Sequence, residues 1–224
     1  MNLKQNIFNI FKIVIGNESL LRKIQKNLCS KLFLKGLTLE FGAVEKKGKN
    51  FSNFIKGKTD FEYSNYYQNK KLKIFSADLT KKLKIKSNKY NNILLFNVLE
   101  HLPEYNSALS EINRILKKNG KFVGSTPFIY QIHSAPNDYF RFTKKFFEFE
   151  LKKNKFYNIK VEYMGYGPLT ACYSLIFAYV RFLPIFSQLL LLVFMILDSF
   201  LQIFVRTNLK EIFPVGIFFI AQKA

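Results

Sequence analysis

Tryptophan is absent, cysteine and histidine each occur twice, and proline occurs six times in 224 residues. Cys29 and Cys172 lie far apart and form no redox or metal-binding spacing, so they imply neither a disulfide framework nor a zinc site. Acidic residues are also few, 15 against 35 lysines and arginines, for a formal net charge of +20. Arginine itself is scarce, with five of the 35 basic residues (Arg22, Arg114, Arg141, Arg181 and Arg206). Base-reading and phosphate-clamping surfaces favour the planar guanidinium fork. A lysine-dominated balance therefore argues against nucleic acid and fits diffuse attraction to an anionic membrane surface. Lysine is abundant together with asparagine, isoleucine and phenylalanine, the pattern of an AT-rich coding sequence, in which much of the charge is solvated surface. No small-residue cleavage site follows the first apolar residues, so Met1 to Ile15 reads as an amphipathic helix rather than a signal peptide.

What is present is apolar: 49% hydrophobic and 17% aromatic residues, ample to offset the entropy of ordering. The length suits one sizeable core with appendages. Apolar residues recur at helical spacing from Leu3 to Leu34, broken into two helices at Gly16-Asn17 and ended by Gly36. Strands are expected at 37–41, 61–63, 72–75, 93–98, 121–125, 156–164 and 216–221. Ile93 to Val98 is a continuous apolar run, typical of a strand buried on both faces. Pro103-Glu104 opens a helix with Ala108, Leu109, Ile112, Ile115 and Leu116 on one face; Lys117-Lys118 sit at its negative end, and Asn119-Gly120 form the turn. Thr143 is placed to cap a helix ending near Lys153. This alternation predicts an α/β fold, a Rossmann-like, mostly parallel sheet with helices on both faces.

Three segments carry a family resemblance. Leu37-Thr-Leu-Glu-Phe-Gly42 resembles the first motif of class I S-adenosylmethionine-dependent methyltransferases, where a strand ends in an acid and a glycine turn so that the cofactor can approach the backbone. Ala43, Val44, Glu45 and Lys46 stand where that family has further glycines. Asn97-Val-Leu-Glu-His-Leu-Pro103, then Arg114-Ile-Leu-Lys-Lys-Asn-Gly120 and Phe122-Val-Gly-Ser-Thr-Pro127, is similar over about thirty residues to the type 11-like branch. His133-Ser-Ala-Pro-Asn-Asp-Tyr-Phe-Arg-Phe-Thr143 resembles a loop of methyltransferases associated with surface-polysaccharide assembly.

The resemblance implies S-adenosylmethionine as cofactor, bound by Glu40, Gly42, Glu62, Asp78, Leu79 and Asn97. Asp78 matches the acid that accepts a hydrogen bond from the adenine amino group. Glu62 is the candidate for the ribose hydroxyls, with Asp60 nearly as well placed. Read as ordinary protein residues, Glu40 is a strand-end polar group and Asp78 a turn cap. His133, Asp138 and Arg141 are the catalytic candidates. A neutral His133 imidazole would take the proton of an attacking hydroxyl, or these residues with Tyr139 form a hydrogen-bonded clasp that shapes the loop. Glu100-His101 has no third ligand at a matching spacing, so no metal site is expected.

From Leu169 to Val205 the only charges are Arg181 and Asp198. Residues 168–212 thus form a hydrophobic helical insertion before the last strand, between 37–167 and 213–224 of the methyltransferase-like domain and apart from the N-terminal helices at 1–36. A single crossing of a bilayer would separate the last strand from its sheet. A hairpin bent near Pro184 and lying in one leaflet is expected instead, with a dimer interface as the alternative. The resulting expectation is a methyltransferase at the cytoplasmic face of the cell membrane, acting on a hydroxyl of a lipid-linked sugar, glycan precursor or other membrane-associated small molecule. The alternative is a catalytically silent scaffold of the same fold for a glycan-assembly complex. Oligomeric state is left open.

Overall fold

A computed structural model describes residues 13–44, 50–134 and 136–224. Most of the helix expected over Met1 to Ile15 lies outside them, as do Glu45 and Lys46. The chain divides into two compact units. One comprises Leu28–Pro127, Ile132–Glu162 and Ile217–Ala224; the other comprises Met1–Asn27, Phe128–Gln131 and Tyr163–Gly216.

The first unit is built on a seven-stranded sheet in the order β3-β2-β1-β4-β5-β7-β6. Its strands are β1 (Gly36–Phe41), β2 (Thr59–Asn65), β3 (Ile74–Ser76), β4 (Tyr90–Phe96), β5 (Leu116–Pro127), β6 (Phe156–Met164) and β7 (Gly216–Lys223). The pairings β1 with β2, β1 with β4, β2 with β3 and β4 with β5 are parallel. The apolar run in β4 is buried on both faces, with Ile93, Leu94, Leu95 and Phe96 all in the core. Helix α2 (Tyr105–Ile115) packs Ala108, Leu109, Ile112 and Ile115 inward, the face expected from their spacing. Helix α3 (Lys144–Lys153) begins at Thr143, whose hydroxyl accepts from the Phe146 N–H at 3.2 Å. Its Phe147 stacks on Phe219 with ring centroids 4.6 Å apart, and Phe219 meets Phe122 edge-on at 4.9 Å. Each such pair contributes about 0.5–1.5 kcal/mol beyond area burial.

One expected feature differs. Helix α2 stops at Ile115, and Leu116 already belongs to β5. Lys117, Lys118, Asn119 and Gly120 instead form a bulge opposite Asn91: Tyr90 faces Leu116 but Asn92 faces Lys121, with Asn119 at φ +62°. Between β1 and β2, the secondary structure among described residues is a single 3-10 turn, Phe51–Phe54, where a full crossover helix is more usual.

In the second unit, α1 (Leu20–Cys29) buries Leu20, Leu21 and Ile24. The insertion is a pair of helices, α4 (Pro168–Val180) and α5 (Pro184–Phe204), packed on one another and broken just before Pro184; the short α6 (Leu209–Ile212) follows. The buried stripe of α5 is Ser187, Leu191, Met195 and Asp198. Both ends of that seam are polar and both are satisfied. Ser187 Oγ lies 2.7 Å from the Tyr173 hydroxyl. Asp198, fully buried, accepts from the Leu169 N–H (3.0 Å), the Thr170 N–H (2.9 Å) and the Thr170 hydroxyl (2.8 Å). It thereby caps the first turn of α4 with a carboxylate from another helix, satisfying orphan donors at the positive end of the dipole. A Cβ at Gly167 would sit 2.6 Å from the Asp198 carboxyl carbon, so the capping approach requires glycine there.

The outward stripe of α5 is apolar. Ile185, Phe186, Leu189, Val193, Ile196, Phe200, Ile203 and Phe204 are all exposed, and Tyr179 and Phe182 add to the surface. The usual amphipathic arrangement is thus inverted, with polar groups inside and apolar groups outside.

Candidate functional site

Strand order reverses between β1 and β4, and at such a switch point the chain leaves a crevice beyond the carboxyl ends of the strands. A cleft of about 410 Å³ opens there, within the range of about 300–1,000 Å³ typical of small-molecule sites. Its floor is Phe41 and Gly42 at the end of β1, Asn65 and Tyr66 at the end of β2, and Asn97 and Val98 after β4. One wall is Ala77, Asp78, Leu79 and Thr80, and another is His101, Leu102 and Pro103. Pro136, Asn137 and Tyr139 contribute from the aromatic loop.

Gly42 has φ +68°, and a Cβ on it would lie 2.5 Å from Val98 Cγ2. Backbone shape and close approach both demand glycine, as the motif predicts. Asn97 also has φ +54°, and its N–H donates to Ser125 O at 2.9 Å. Asp78 Oδ1 accepts from the Thr80 hydroxyl (2.6 Å) and the Thr80 N–H (3.0 Å). Those bonds, led by the hydroxyl and aided by Lys81, hold its carboxyl below the usual range and keep it ionised as an acceptor. Gly42, Asp78, Leu79 and Asn97 are therefore brought together on one cleft.

Glu40 and Glu62 are not. Glu40 is buried and accepts from the Phe51 N–H at 2.8 Å and the Ser52 N–H at 3.0 Å. An acid inside an apolar strand must be compensated, and here the loop after β1 provides the donors. Glu62 lies in the middle of β2, opposite Leu39, and its Oε2 accepts from Lys89 Nζ and the Tyr90 hydroxyl, both at 2.7 Å. The strand runs three residues further, and Asn65 occupies the strand-end position on the cleft. Asp60 is more remote still, near the start of the strand. Asn65 donates through Nδ2 to Ala43 O at 2.9 Å, tying the two strand ends together.

The loop that follows β5 is pinned at several points. Asp138 is held by the Arg141 guanidinium, with Nη2 to Oδ2 at 2.6 Å and a second bond from Nη1 to Oδ1. Arg141 is the main reason the Asp138 carboxyl lies far below its ordinary value. Asp138 Oδ2 also accepts from the His133 N–H at 3.0 Å, so the clasp reading of these residues describes the loop. Phe140, Phe142 and Phe146 surround Tyr105 of α2 at centroid distances of 5.5, 5.7 and 5.1 Å. The Tyr139 N–H docks on Glu100 O at 2.9 Å. His133 does not line the cleft; its Nε2 instead faces Glu100 Oε1 at 3.9 Å.

Glu100 is the residue that sequence reasoning passed over. It sits in the 3-10 turn Leu99–His101, wholly buried, with neither carboxylate oxygen hydrogen-bonded. Burial pushes its carboxyl up to about 8, against the pull of its own backbone N–H and then of the Arg141 charge. His101 Nε2 approaches the same oxygen at 3.8 Å. The missing third partner of the Glu100-His101 pair is thus His133, 32 residues away in the chain and delivered by the pinned loop.

Residues 57–124 match the family model described as a methyltransferase domain. No curated protein matches the chain in sequence. Among solved structures, a SAM-dependent methyltransferase from Archaeoglobus fulgidus superposes with a TM-score of 0.58 at 14% identity, over 97% of this chain and 99% of that one. A possible histamine N-methyltransferase from Thermotoga maritima gives 0.56 at 14% identity, over 99% and 94%. Phosphoethanolamine N-methyltransferase 2 of Haemonchus contortus, in complex with phosphomonomethylethanolamine and S-adenosylhomocysteine, gives 0.56 at 14% identity over 99% of this chain; this chain spans only 57% of that enzyme's length. The chain therefore has the α/β fold of S-adenosylmethionine-dependent methyltransferases, and the segment that matches the methyltransferase-domain model supplies the cleft residues from Asn65 to Pro103.

Proposed function

We propose that this protein transfers a methyl group from S-adenosylmethionine to a hydroxyl of a membrane-associated small molecule, such as a lipid-linked sugar or related glycan precursor. The observation that carries the reading is the cleft at the switch point, floored by a glycine that tolerates no side chain and walled by the ionised Asp78. Asp78 and Leu79 would hold the adenine end, Asn65 and Tyr66 at the end of β2 would meet the ribose, and Gly42 and Asn97 would leave backbone room for the rest. S-adenosylmethionine supplies an electrophilic methyl on sulfur when bound. The chain's own residues position the acceptor from the loop side, where Asn137 and Tyr139 reach the cleft. The test is calorimetry with S-adenosylmethionine. The parent is expected to bind at micromolar concentration, and Asp78→Ala to bind about tenfold more weakly, the worth of one hydrogen bond to a charged group. Absence of binding at millimolar ligand removes the enzyme and leaves the scaffold reading.

The choice of acceptor is supported by the aromatic loop's resemblance to glycan-associated methyltransferases and by the inverted hairpin. Helix α5 has 21 residues and is apolar enough to cross a membrane, about 31 Å at 1.5 Å per residue. Helix α4 has 13 residues, about 20 Å, too short for a core near 30 Å. A hairpin of unequal arms is best accommodated lying in the cytoplasmic leaflet, with lysines drawn to anionic headgroups. Co-sedimentation of the full chain with vesicles containing phosphatidylglycerol is expected, with weaker recovery on phosphatidylcholine alone. The double variant Leu189→Ser, Phe200→Ser is expected to stay in the supernatant. Concentration-dependent dimerisation without vesicle binding would instead assign the face to a second copy.

A further inference from the structure

We propose that Glu100, His101 and His133 form a binding site for a divalent cation of the zinc or manganese class. Their nearest ligand atoms all lie within 4.8 Å of one another, and Glu100 Oε1 is 3.8 Å from His101 Nε2 and 3.9 Å from His133 Nε2. Donors about 2.1 Å from a tetrahedral cation stand about 3.4 Å apart, so a small inward rotation of the two rings completes the geometry. A buried carboxyl serving only the protein would reach an imidazole at about 2.8 Å. At 3.8 and 3.9 Å these groups converge without bonding, and both oxygens of the fully buried Glu100 remain without hydrogen-bond partners.

Each ring has an oxygen behind it, and that of His101 is hydrogen-bonded. His101 Nδ1 lies 2.5 Å from the Asn137 carbonyl oxygen, a contact that requires a proton on Nδ1 and leaves the Nε2 lone pair facing Glu100. His133 Nδ1 faces Asp138 Oδ2 at 3.4 Å, and Asp138 is locked by Arg141. A carbonyl or carboxylate behind each imidazole is the outer arrangement by which ligating histidines are aimed and made more basic. Both histidines of the chain are committed to it. Two imidazoles and one carboxylate leave at least one coordination position open. Because His101 also lines the cleft, a cation held there would take its role beside the acceptor. This role rests on the methyltransferase reading; the binding site itself does not.

The experiment is calorimetric titration of the chelator-treated full chain with manganese chloride and, separately, zinc chloride, followed by S-adenosylmethionine on the same preparation. One saturable site per chain at micromolar concentration is expected. Glu100→Gln and His133→Asn, each checked for native circular dichroism, should weaken it at least tenfold. No saturable binding by the parent, or unchanged affinity in a folded variant, overturns the proposal. Cation binding without S-adenosylmethionine binding upholds the site and removes the transferase reading; the reverse result does the opposite.

Discussion

Gly42→Ala is expected to weaken S-adenosylmethionine binding by roughly 100-fold. Two independent penalties act at this position. The backbone sits at φ +68°, where an L side chain costs about 1–2 kcal/mol. The added methyl would also stand 2.5 Å from Val98 Cγ2, and forcing such a group into a packed site costs about 1–3 kcal/mol. The turn relaxes by moving away from the geometry that forms the floor of the cleft, and binding must reverse that movement. At about 1.4 kcal/mol per tenfold, the two together give about two orders of magnitude. The second change, Val98→Ala, removes the steric part alone, so the double variant should regain about tenfold while the conformational part persists. Calorimetry on the two variants checks this. Parental affinity in Gly42→Ala would mean that the cofactor binds elsewhere.

The second large effect is on stability. Asp198→Ala leaves two backbone N–H groups and the Thr170 hydroxyl without the carboxylate they share. Unsatisfied buried donors cost about 1–3 kcal/mol each when water cannot reach them, and loss of a helix cap costs about 0.5–2 kcal/mol. With partial relaxation a net loss of about 2–4 kcal/mol follows, which lowers the melting temperature of a chain this size by roughly 5–15 °C. Asp198→Asn keeps an acceptor oxygen and should lose less than half as much. Melting followed by circular dichroism in mild detergent provides the measurement. A shift within 2 °C for Asp198→Ala would show that the cap carries little of the hairpin's stability.

The particular residues explain what could be read from sequence. Periodicity placed β6, α3 and the inward face of α2 closely, because each has a sharp apolar pattern and a local terminator. The cleft residues Gly42, Asp78 and Asn97 were legible because strand-end geometry restricts residue type within a few positions. Glu62 lies off the cleft for the complementary reason: distance along the chain does not fix where β2 ends, and the strand runs three residues further to Asn65. Glu40 reads in sequence as a cofactor acid or a strand-end polar group, but its partners are backbone donors of the following loop, which have no side-chain signature. His133 was identified as special, yet its neighbours Glu100 and His101 meet it only because the Tyr139 N–H and the Phe140, Phe142 and Phe146 rings pin the loop. Long-range docking of that kind leaves no spacing to count. Asp198 likewise looked like an isolated charge in an apolar helix, and only the fold reveals the helix terminus it serves.

The strand order carries a consequence for how the sheet is assembled on the ribosome. The final strand, β7, fills a slot between β5 and β6, so the sheet stays divided until residues 216–223 are made. About 50 residues separate β6 from β7, and at roughly 5–20 residues per second their translation leaves both flanking strands with an unpaired edge for several seconds. The two-helix insertion, complete by Phe204, has time to form within that interval. Nascent chains are therefore prone to mispairing during that interval, and loss of residues 216–223 would remove an interior strand, not trim a border.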